Sequence, residues 1–195
     1  MIAIMSETII SELRPRATAQ KSFEKGEHLF HRDNRVLSMF LVTDGGVHLV
    51  RYQADGNMAV LQRSGPGMLL AEASVFSERY HCDAVAIMTT CALVVPIAEV
   101  RQLLNDDPAF ARAWTIHLSR ELQSARKRAE IVALRTVSAR LDAWVTWNDG
   151  RLPAKGDWRA LAEEIGVSPE ALYREISRRR SRCSRASIRN GNDNR

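Results

Sequence analysis

Cysteine is scarce in this sequence and forms no metal-binding or redox pair. The chain of 195 residues has three cysteines, Cys82, Cys91 and Cys183, none of them in a C-x-x-C motif. Three thiolates are too few for a four-thiolate metal cluster held by one chain. We therefore expect free thiols, as is usual for a protein of a reducing compartment.

Long apolar runs are absent as well. The first ten residues, MIAIMSETII, lack the basic start of a secretory signal and reach Glu7 early. No later run approaches the ~18 apolar residues that a membrane helix needs. Because 45% of the residues are hydrophobic, the chain can still fill a core. These features predict a globular, cytoplasmic protein with no membrane partner.

Motifs of common catalytic sites are also missing. The sequence has no Gly-rich phosphate loop at a helix start, no nucleophile elbow, no H-E-x-x-H motif and no paired carboxylates in a recognisable setting. We therefore expect a binding protein and not an enzyme, with no catalytic residue, no metal and no certain cofactor. His28 and His31 are close in sequence, but without a third ligand nearby we assign them to the surface.

Acidic residues are scarce at the end of the chain. The net charge is +5, and from Arg178 to Arg195 seven arginines stand against one aspartate. That segment alone carries +6, so the rest of the chain is close to neutral. A basic end favours contact with a phosphate backbone.

Short β-type runs separated by turn residues fill the region from Phe23 to about Pro96. The runs are LFH, MFLVT, GVHLVRY, MAVLQR, AVAIMTT and ALVVPI. Asp55-Gly56 lies between two of them and is a strong hairpin pattern. These strands predict an antiparallel sandwich or barrel, preceded by a short helix over Glu7 to Leu13.

A long periodic segment opens at Pro108, after a short helix, AEVRQLLNDD. Apolar residues recur in it at spacings of four and three, as in the seam of a coiled coil. The other faces of this helix are strongly charged. Its apolar stripe is longer than packing against the edge of one domain would require. The alternative is that it packs only on the chain's own β-structure. The seam residues are Trp114, Leu118, Leu122, Ala125, Ala129 and Val132.

The pattern of the long helix shifts near Leu134 to Thr136. Thr136 is placed to cap a new helix, VSARLDAWVTW, which Asn148-Asp149-Gly150 ends. The joint at residues 134–136 is our candidate hinge. The buried side of the new helix is predicted to be Val137, Leu141, Trp144 and Val145.

Two further helices are predicted to meet at Gly166, which can turn the chain at positive φ. Val167 can fill the angle between them. The second helix starts with Ser168, a good N-cap, and Pro169, which suits the first helical position. The first helix follows Asp157, a possible N-cap, and carries an apolar stripe of Trp158, Leu161, Ala162 and Ile165.

The second of these helices has one apolar face and one polar face. Leu172 and Ile176 are predicted to face inward. This is the layout of a helix-turn-helix, whose second helix enters the DNA major groove; an ordinary helical hairpin with a solvated face is the alternative. The outward residues are Glu170, Tyr173, Arg174, Ser177 and Arg178.

The run from Met39 to Phe76, MFLVTDGGVHLVRYQADGNMAVLQRSGPGMLLAEASVF, resembles the β-roll of cyclic-nucleotide-binding domains. The resemblance is carried by the Gly45 turn, the Asp55-Gly56 hairpin, the corner at residues 65–67 and the cassette-like segment that follows. With the helix-turn-helix pattern downstream, residues 20–180 resemble the CRP/FNR family of bacterial transcription regulators.

The resemblance implies an effector pocket at the family's phosphate-binding cassette, here Leu70, Ala71, Glu72, Cys82 and Asp83. In nucleotide-binding members an acid holds the ribose, and an arginine followed by a hydroxyl residue holds the phosphate. Glu72 stands in the acid position. The alternative is that Glu72 only caps backbone groups and holds no ligand. Ala71 replaces a glycine, Cys82 the arginine and Asp83 the hydroxyl residue. A phosphate would lose its cationic partner and meet a carboxylate, so we predict that cyclic AMP is not a tight ligand.

His81 and Cys82 offer an imidazole and a thiol beside this pocket. One haem-sensing branch of the family has Cys and His ligands in roughly this region. Adjacent residues on an extended strand point to opposite faces, however, which disfavours one shared metal. Redox sensing by Cys82, plain packing and an unknown small-molecule effector remain as alternatives.

The resemblance also assigns roles on the second helix of the motif. Glu170 and Arg174 match the family's base-reading positions, where Glu accepts from cytosine and Arg donates twice to guanine. Ser168, Tyr173 and Arg178 are expected to contact phosphates. The family's long helix pairs with its twin, and two-fold pairing would place two recognition helices ~34 Å apart on a palindromic double-stranded DNA site.

The end of the sequence departs from the family. Where an apolar turn and a two-stranded wing are expected, SRCSRASIRNGNDNR is almost without apolar residues. We expect disorder there, a missing or degraded wing, and non-specific, salt-sensitive DNA contacts by the arginines.

The expected fold class is α+β: an antiparallel β-roll of the jelly-roll type in a sensor domain over residues 1–107, a dimerisation helix over 108–134, a helix-turn-helix domain over 135–180 and a basic tail over 181–195. The expected function is a homodimeric bacterial transcription regulator that binds promoter DNA under control of an effector or redox signal at the β-roll. RNA polymerase is a further candidate partner. The alternative is an effector-binding or interaction module with a decayed, non-specific DNA-binding domain.

Overall fold

The computed structural model describes residues 2–53 and 58–190, with side chains described from residue 7 to residue 181 within these ranges. The chain divides into two compact units, one ending at Arg120 and one beginning at Glu121. The predicted Asp55-Gly56 turn lies outside the described residues.

In the described residues, eight strands and two α-helices form most of the first unit. The elements are α1 (Ile2–Leu13), β1 (Ala19–Phe23), β2 (His28–Phe30), β3 (Ser38–Asp44), β4 (Val47–Tyr52), β5 (Met58–Ser64), β6 (Leu69–Leu70), β7 (Asp83–Ala86), β8 (Thr90–Pro96) and α2 (Ile97–Asp106). The strands build two antiparallel sheets of four strands, with the orders β1-β8-β3-β6 and β2-β7-β4-β5. This confirms the predicted antiparallel β-structure and the α+β class.

The turn between β3 and β4 requires glycine. Gly45 lies at φ +84°, and a Cβ there would come within 2.4 Å of the Thr89 carbonyl oxygen. The buried Thr90 hydroxyl accepts from the Gly46 N–H at 3.0 Å and so fixes the same corner. The sequence therefore dictates this tight connection between strands of the two sheets.

The core of the first unit lies between the sheets and under α1 and α2. Its aromatic centre stacks Phe30 on Tyr80, with ring centroids 3.9 Å apart. The Tyr80 hydroxyl donates to the Ser38 carbonyl oxygen at 2.7 Å, so its polar end is satisfied. The first turns of α3 (Pro108–Ala133) add Phe110 and Trp114 to the same core.

Three predictions about helices and strands of the first unit need correction. The helix predicted from Glu7 begins at Ile2. β1 was not among the predicted strands, because its sequence, AQKSF, is mostly polar and exposed. The run AVAIMTT is not one strand: β7 ends at Ala86 and β8 begins at Thr90, since the chain must turn between two neighbouring sheets.

The part of the second unit that the structure describes contains the rest of α3 and three further α-helices, α4 (Val137–Trp147), α5 (Trp158–Glu164) and α6 (Pro169–Asn190). Thr136 caps α4 as predicted, accepting from the Ala139 N–H at 3.1 Å. The core of this unit is formed by Ile131, Leu141, Trp144, Trp158, Leu161, Ala162, Ile165, Leu172 and Ile176.

The expected disorder from Ser181 is wrong for the backbone as far as Asn190, where α6 ends. The physical reason is that neither Gly nor Pro interrupts the chain between Pro169 and Gly191, and Arg and Ala are good helix formers. In the described part of the chain no strand follows α6, and residues 191–195 lie outside it.

None of the helices in the described residues is both long enough and apolar enough to cross a membrane.

Candidate nucleic-acid interface and effector region

The turn between α5 and α6 is a Schellman motif centred on Gly166. The Val167 N–H donates to the Ala162 carbonyl oxygen at 2.9 Å, and the Gly166 N–H donates to the Glu163 carbonyl oxygen at 3.3 Å. Gly166 lies at φ +67°, in the left-handed region that glycine tolerates best. The predicted turn at Gly166 is confirmed by this geometry, and the Val167 side chain packs, partly buried, against the core of the second unit.

The start of α6 is capped by Ser168, as predicted. Its hydroxyl accepts from the Ala171 N–H at 3.2 Å, and Pro169 occupies the first helical position. Asp157 precedes α5, but its side chain makes no capping hydrogen bond there. The start of α6 is therefore stabilised by a side-chain cap, and the start of α5 is not.

The two faces of α6 divide as the periodicity predicts. Leu172 and Ile176 are buried in the core of the second unit. The five residues assigned to DNA are all exposed on the other side: Ser168, Glu170, Tyr173, Arg174 and Arg178. A hydrogen bond with its own backbone N–H, together with the Ser168 side chain and the nearby Arg174, lowers the pKa of Glu170. Its carboxylate is therefore ionised at neutral pH and able to accept a hydrogen bond from a base.

Arg178 differs from the other four because its guanidinium already has a carboxylate partner. It donates to both oxygens of Glu175, with Nη2–Oε1 at 2.8 Å and Nη2–Oε2 at 2.7 Å. Part of its charge is thus neutralised within the helix. A phosphate contact by Arg178 would have to compete with this pair.

Glu175 centres an ionic network that the sequence did not reveal. It is buried and also accepts from Arg179 at 2.7 Å. Arg179 in turn bonds Asp142 of α4 at 2.6 Å. Burial alone would raise the pKa of Glu175, but hydrogen bonds from Arg179 and Arg178 lower it to about 2. The network therefore joins α6 to α4 and fixes the orientation of the candidate recognition helix.

Arg140 of α4 joins the end of α3 to the helix-turn-helix turn. Its guanidinium donates to four backbone carbonyl oxygens, those of Val132 (2.8 Å), Leu134 (2.8 Å), Ile165 (3.2 Å) and Gly166 (2.6 Å). Val132 lies in the last turn of α3, Leu134 lies in the candidate hinge, and the other two belong to the turn before α6. One side chain thus couples the position of the turn to the end of the long helix.

The predicted seam of α3 divides into a buried part and an exposed part. Trp114 is buried in the core of the first unit, and Leu118 packs against that core. Leu122 and Val132 expose 52% and 43% of their surface, and Ala125 and Ala129 are exposed between them. Packing on the chain's own β-structure therefore accounts for the start of the seam but not for its second half.

The cassette residues do not all face a ligand space. Leu70, Ala71 and Cys82 belong to the hydrophobic core of the first unit, and Glu72 is buried. Ala71 adopts φ +74°, where the family's glycine would be unstrained. The Asp83 carboxylate lies 3.3 Å from the His31 Nδ1 and accepts from the Arg32 N–H at 3.2 Å. Of the five predicted pocket residues, Asp83 is the least buried.

A cleft elsewhere on the first unit was not anticipated from the sequence. It has a volume of about 630 Å³. Its arginines are partly held in place, since Arg101 donates to the Val75 carbonyl oxygen at 2.6 Å and Arg79 to that of Asp33 at 2.6 Å. The lining residues are Arg35, Val36, Phe76, Ser77, Glu78, Arg79 and Arg101.

Cys82 is in an environment that suppresses thiolate formation. It is only 1% exposed. Burial, and then the neighbouring Asp83 carboxylate, raise the pKa of its thiol to about 11. Because the thiolate is the reactive form, this argues against redox sensing by Cys82. His81 is exposed while Cys82 is buried, so the two do not present a common site.

We expect Cys82 to react at least ~100-fold more slowly with iodoacetamide in the folded protein than in urea at neutral pH, since a pKa two units higher lowers the thiolate fraction ~100-fold. Peptide mass spectrometry would measure the rate, with the half-buried Cys91 as internal reference. Modification of Cys82 as fast as in the unfolded chain would contradict the expectation and restore the redox hypothesis.

Comparison with known proteins agrees with this architecture. Residues 20–107 match the cyclic nucleotide-binding domain family. The chain is 26% identical over 162 residues to the cAMP-activated global transcriptional regulator CRP of Haemophilus influenzae, covering 82% of this chain and 69% of that protein.

Two solved structures show the same fold. FixK2 from Bradyrhizobium japonicum matches with a TM-score of 0.68 at 20% identity, over 84% of this chain and 85% of that chain. The c-di-GMP responsive global regulator CLP of Xanthomonas campestris matches with a TM-score of 0.64 at 17% identity, over 90% of this chain and 92% of that chain.

The domain match covers residues 20–107, and the chain is similar over most of its length to a regulator of the CRP type. These similarities support a CRP/FNR-type transcription regulator, and the two solved structures agree with it in fold.

Proposed function

We propose that this chain is a homodimeric regulator that reads a palindromic double-stranded DNA site with α6. The observation that carries the proposal is the pair Glu170 and Arg174, exposed one turn apart at the N-terminal half of a helix whose other face is fixed in a core. An acceptor for cytosine and a double donor for guanine are thereby held on one face. Ser168 and Tyr173 would contact the phosphates on either side.

Pairing through the second half of α3 completes the proposal. The exposed stripe of Leu122, Ala125, Ala129 and Val132 has the seam spacing of a coiled coil. In a two-fold dimer it would be buried against its own copy, with Trp114 and Leu118 marking where the helix enters the core of the first unit. Such pairing would set the separation of two recognition helices.

The signal is proposed to act at the β-roll and not to be cyclic AMP. The relatives' names show that one is activated by cAMP and another responds to c-di-GMP. Here Cys82 is buried in the arginine position, and Asp83 places a carboxylate where a phosphate would need a donor. An effector of another chemical class, which would shift the pairing of the α3 helices, fits these residues better. Contact with RNA polymerase stays a prediction of the family resemblance.

Selection from a randomised duplex pool at near-physiological salt tests the DNA-binding proposal. The wild-type protein should enrich a palindrome. Glu170→Ala and Arg174→Ala should each lose ~1–3 kcal/mol of discrimination at their own base position, because a base-edge contact disappears while the phosphate contacts remain. Sequencing of the bound pools gives the preference at each position.

Glu164→Ala is the matched control, since Glu164 is exposed at the end of α5 and outside the proposed contact face. Its enriched site should equal that of the wild type. An unselective binding that is abolished by added salt, in wild type and variants alike, would show that only the arginines of the tail meet DNA.

A further inference from the structure

Two histidines and one aspartate of the first unit converge at one edge of the second sheet. One possible ligand atom from each of His28, His31 and Asp83 lies within 4.8 Å of the other two. The imidazole rings of His28 and His31 stack with centroids 4.2 Å apart and planes at 24°. From this convergence we infer that His28, His31 and Asp83 form a binding site for a divalent transition metal ion of the zinc class.

A bulge in β2 explains how two residues three positions apart come together. Along a regular strand, residues 28 and 31 would point to opposite faces. In the pairing with β7, however, His28 is opposite Val85 and Phe30 is opposite Ala84, so β2 carries one residue more than its partner strand. Such a bulge shifts the alternation by one. His31, one residue after β2, lies on the side of His28, where the two rings stack. Asp83, at the start of β7, then lies beside them.

The distances suit coordination by small movements of side chains. Metal–nitrogen and metal–oxygen bonds of zinc are ~2.0–2.2 Å, which places tetrahedral ligand atoms ~3.3 Å apart. The His31 Nδ1 and the Asp83 Oδ1 are 3.3 Å apart and form a hydrogen bond with each other, so a metal ion would take the place of the proton between them. Because the His28 and His31 rings are stacked, His28 must turn out of the stack before both ring nitrogens can point at one ion. Three protein ligands would leave one coordination position for water or an exogenous donor.

The surroundings of the carboxylate also favour a metal. The Arg32 backbone N–H donates to the Asp83 Oδ1 at 3.2 Å and so helps to fix its orientation. The Arg32 guanidinium is turned to Asp33, with Nε and Oδ2 3.2 Å apart. The Asp83 side chain is largely shielded from solvent, while the His31 side chain is mostly exposed. The site is therefore reachable from solvent. Imidazole nitrogen with carboxylate oxygen is a donor set for zinc, cobalt, nickel or copper ions.

Titration of the full, chelator-treated chain with Co²⁺ and Zn²⁺ tests the site. The wild-type protein should bind one equivalent of Co²⁺ with weak visible d–d bands and without an intense sulfur-to-cobalt charge-transfer band, because the ligands are nitrogen and oxygen. Calorimetry with Zn²⁺ should show the same stoichiometry. His28→Gln and Asp83→Asn should each weaken the affinity at least ~100-fold.

His81→Gln is the matched control, because His81 is a nearby exposed histidine outside the cluster, and it should bind as the wild type does. Circular dichroism of every variant establishes that it is folded. Unchanged affinity in His28→Gln and Asp83→Asn, a thiolate charge-transfer band, or no saturable binding by the wild type would each overturn the inference. None of these readouts involves DNA, so the outcome is independent of the proposed function.

Discussion

Replacing Arg140 by alanine is expected to destabilise the second unit by about 2–4 kcal/mol and to weaken specific DNA binding with it. The reason is that one guanidinium serves four backbone carbonyl oxygens, two at the end of α3 and two at the turn before α6. Hydrogen bonds from charged donors are worth ~1.5–3 kcal/mol each, and bonds that share one donor group are not additive. Loss of the side chain would also free the turn that orients the recognition helix.

Urea unfolding followed by tryptophan fluorescence measures the effect. Three of the four tryptophans, Trp144, Trp147 and Trp158, lie in the second unit and report mainly on it. Arg140→Lys should recover less than half of the loss, because an ammonium group lacks the planar fork of donors. Arg151→Ala, at an exposed position after α4, is the control for loss of one positive charge. If Arg140→Ala and Arg151→Ala unfold at the same urea concentration, the four bonds contribute nothing to stability.

The second large effect is expected from a charge in the seam of α3. Leu122→Glu should raise the dissociation constant of the proposed dimer at least ~100-fold, equivalent to about 2.7 kcal/mol. In a two-fold pair the exposed Leu122 would lie near its own copy, so the substitution would bury two carboxylates of like charge. Sedimentation equilibrium over a range of protein concentrations gives the constant directly.

Gln123→Glu is the matched substitution for this experiment. It adds the same charge one residue further along, at an exposed position about 100° around the helix. This variant should remain dimeric, and its unfolding should match that of the wild type. If Leu122→Glu and the wild type have the same dimer dissociation constant, the exposed stripe of α3 is not part of the dimer interface.

Most of the predictions that the structure confirms rested on local sequence patterns. The stripe Trp158, Leu161, Ala162 and Ile165 is buried as its spacing requires. Gly166 and Ser168 form the turn and the cap expected of them, because these roles depend on backbone conformation and on neighbours within a few residues. The antiparallel sheets followed in the same way from short strands and turn residues.

Contacts between distant side chains were beyond the sequence. Nothing in the spacing of Arg140, Ile165 and Gly166 indicates that one guanidinium meets both carbonyl groups. His31 and Asp83 are likewise 52 positions apart and meet only because β2 pairs with β7. The expectation that no third possible ligand lies near the two histidines was therefore wrong, because strand pairing brings the Asp83 carboxylate beside them. Metal binding by the three residues stays a proposal.

The effector region shows a second limit of prediction from sequence. Its residues were assigned by resemblance to the family's cassette, and such a resemblance gives the position of a residue but not its burial. Cys82 occupies the place of an arginine whose charge would have to reach a ligand, yet it belongs to the hydrophobic core. A small apolar side chain there favours packing, and this is a property of the neighbours that the single sequence does not state.

The most direct test of a two-fold regulator is the dependence of affinity on half-site spacing. The site enriched by selection would be rebuilt with ~5 base pairs inserted between its half-sites, which rotates one half-site by half a helical turn. Fluorescence anisotropy at fixed salt would compare the two duplexes, with a ~10 base-pair insertion as reference. We predict that the half-turn insertion reduces affinity to the non-specific level, because two α6 helices of one dimer no longer face the same side of the DNA. Equal affinity for the original and half-turn duplexes would contradict a paired readout and mean that each chain binds DNA alone.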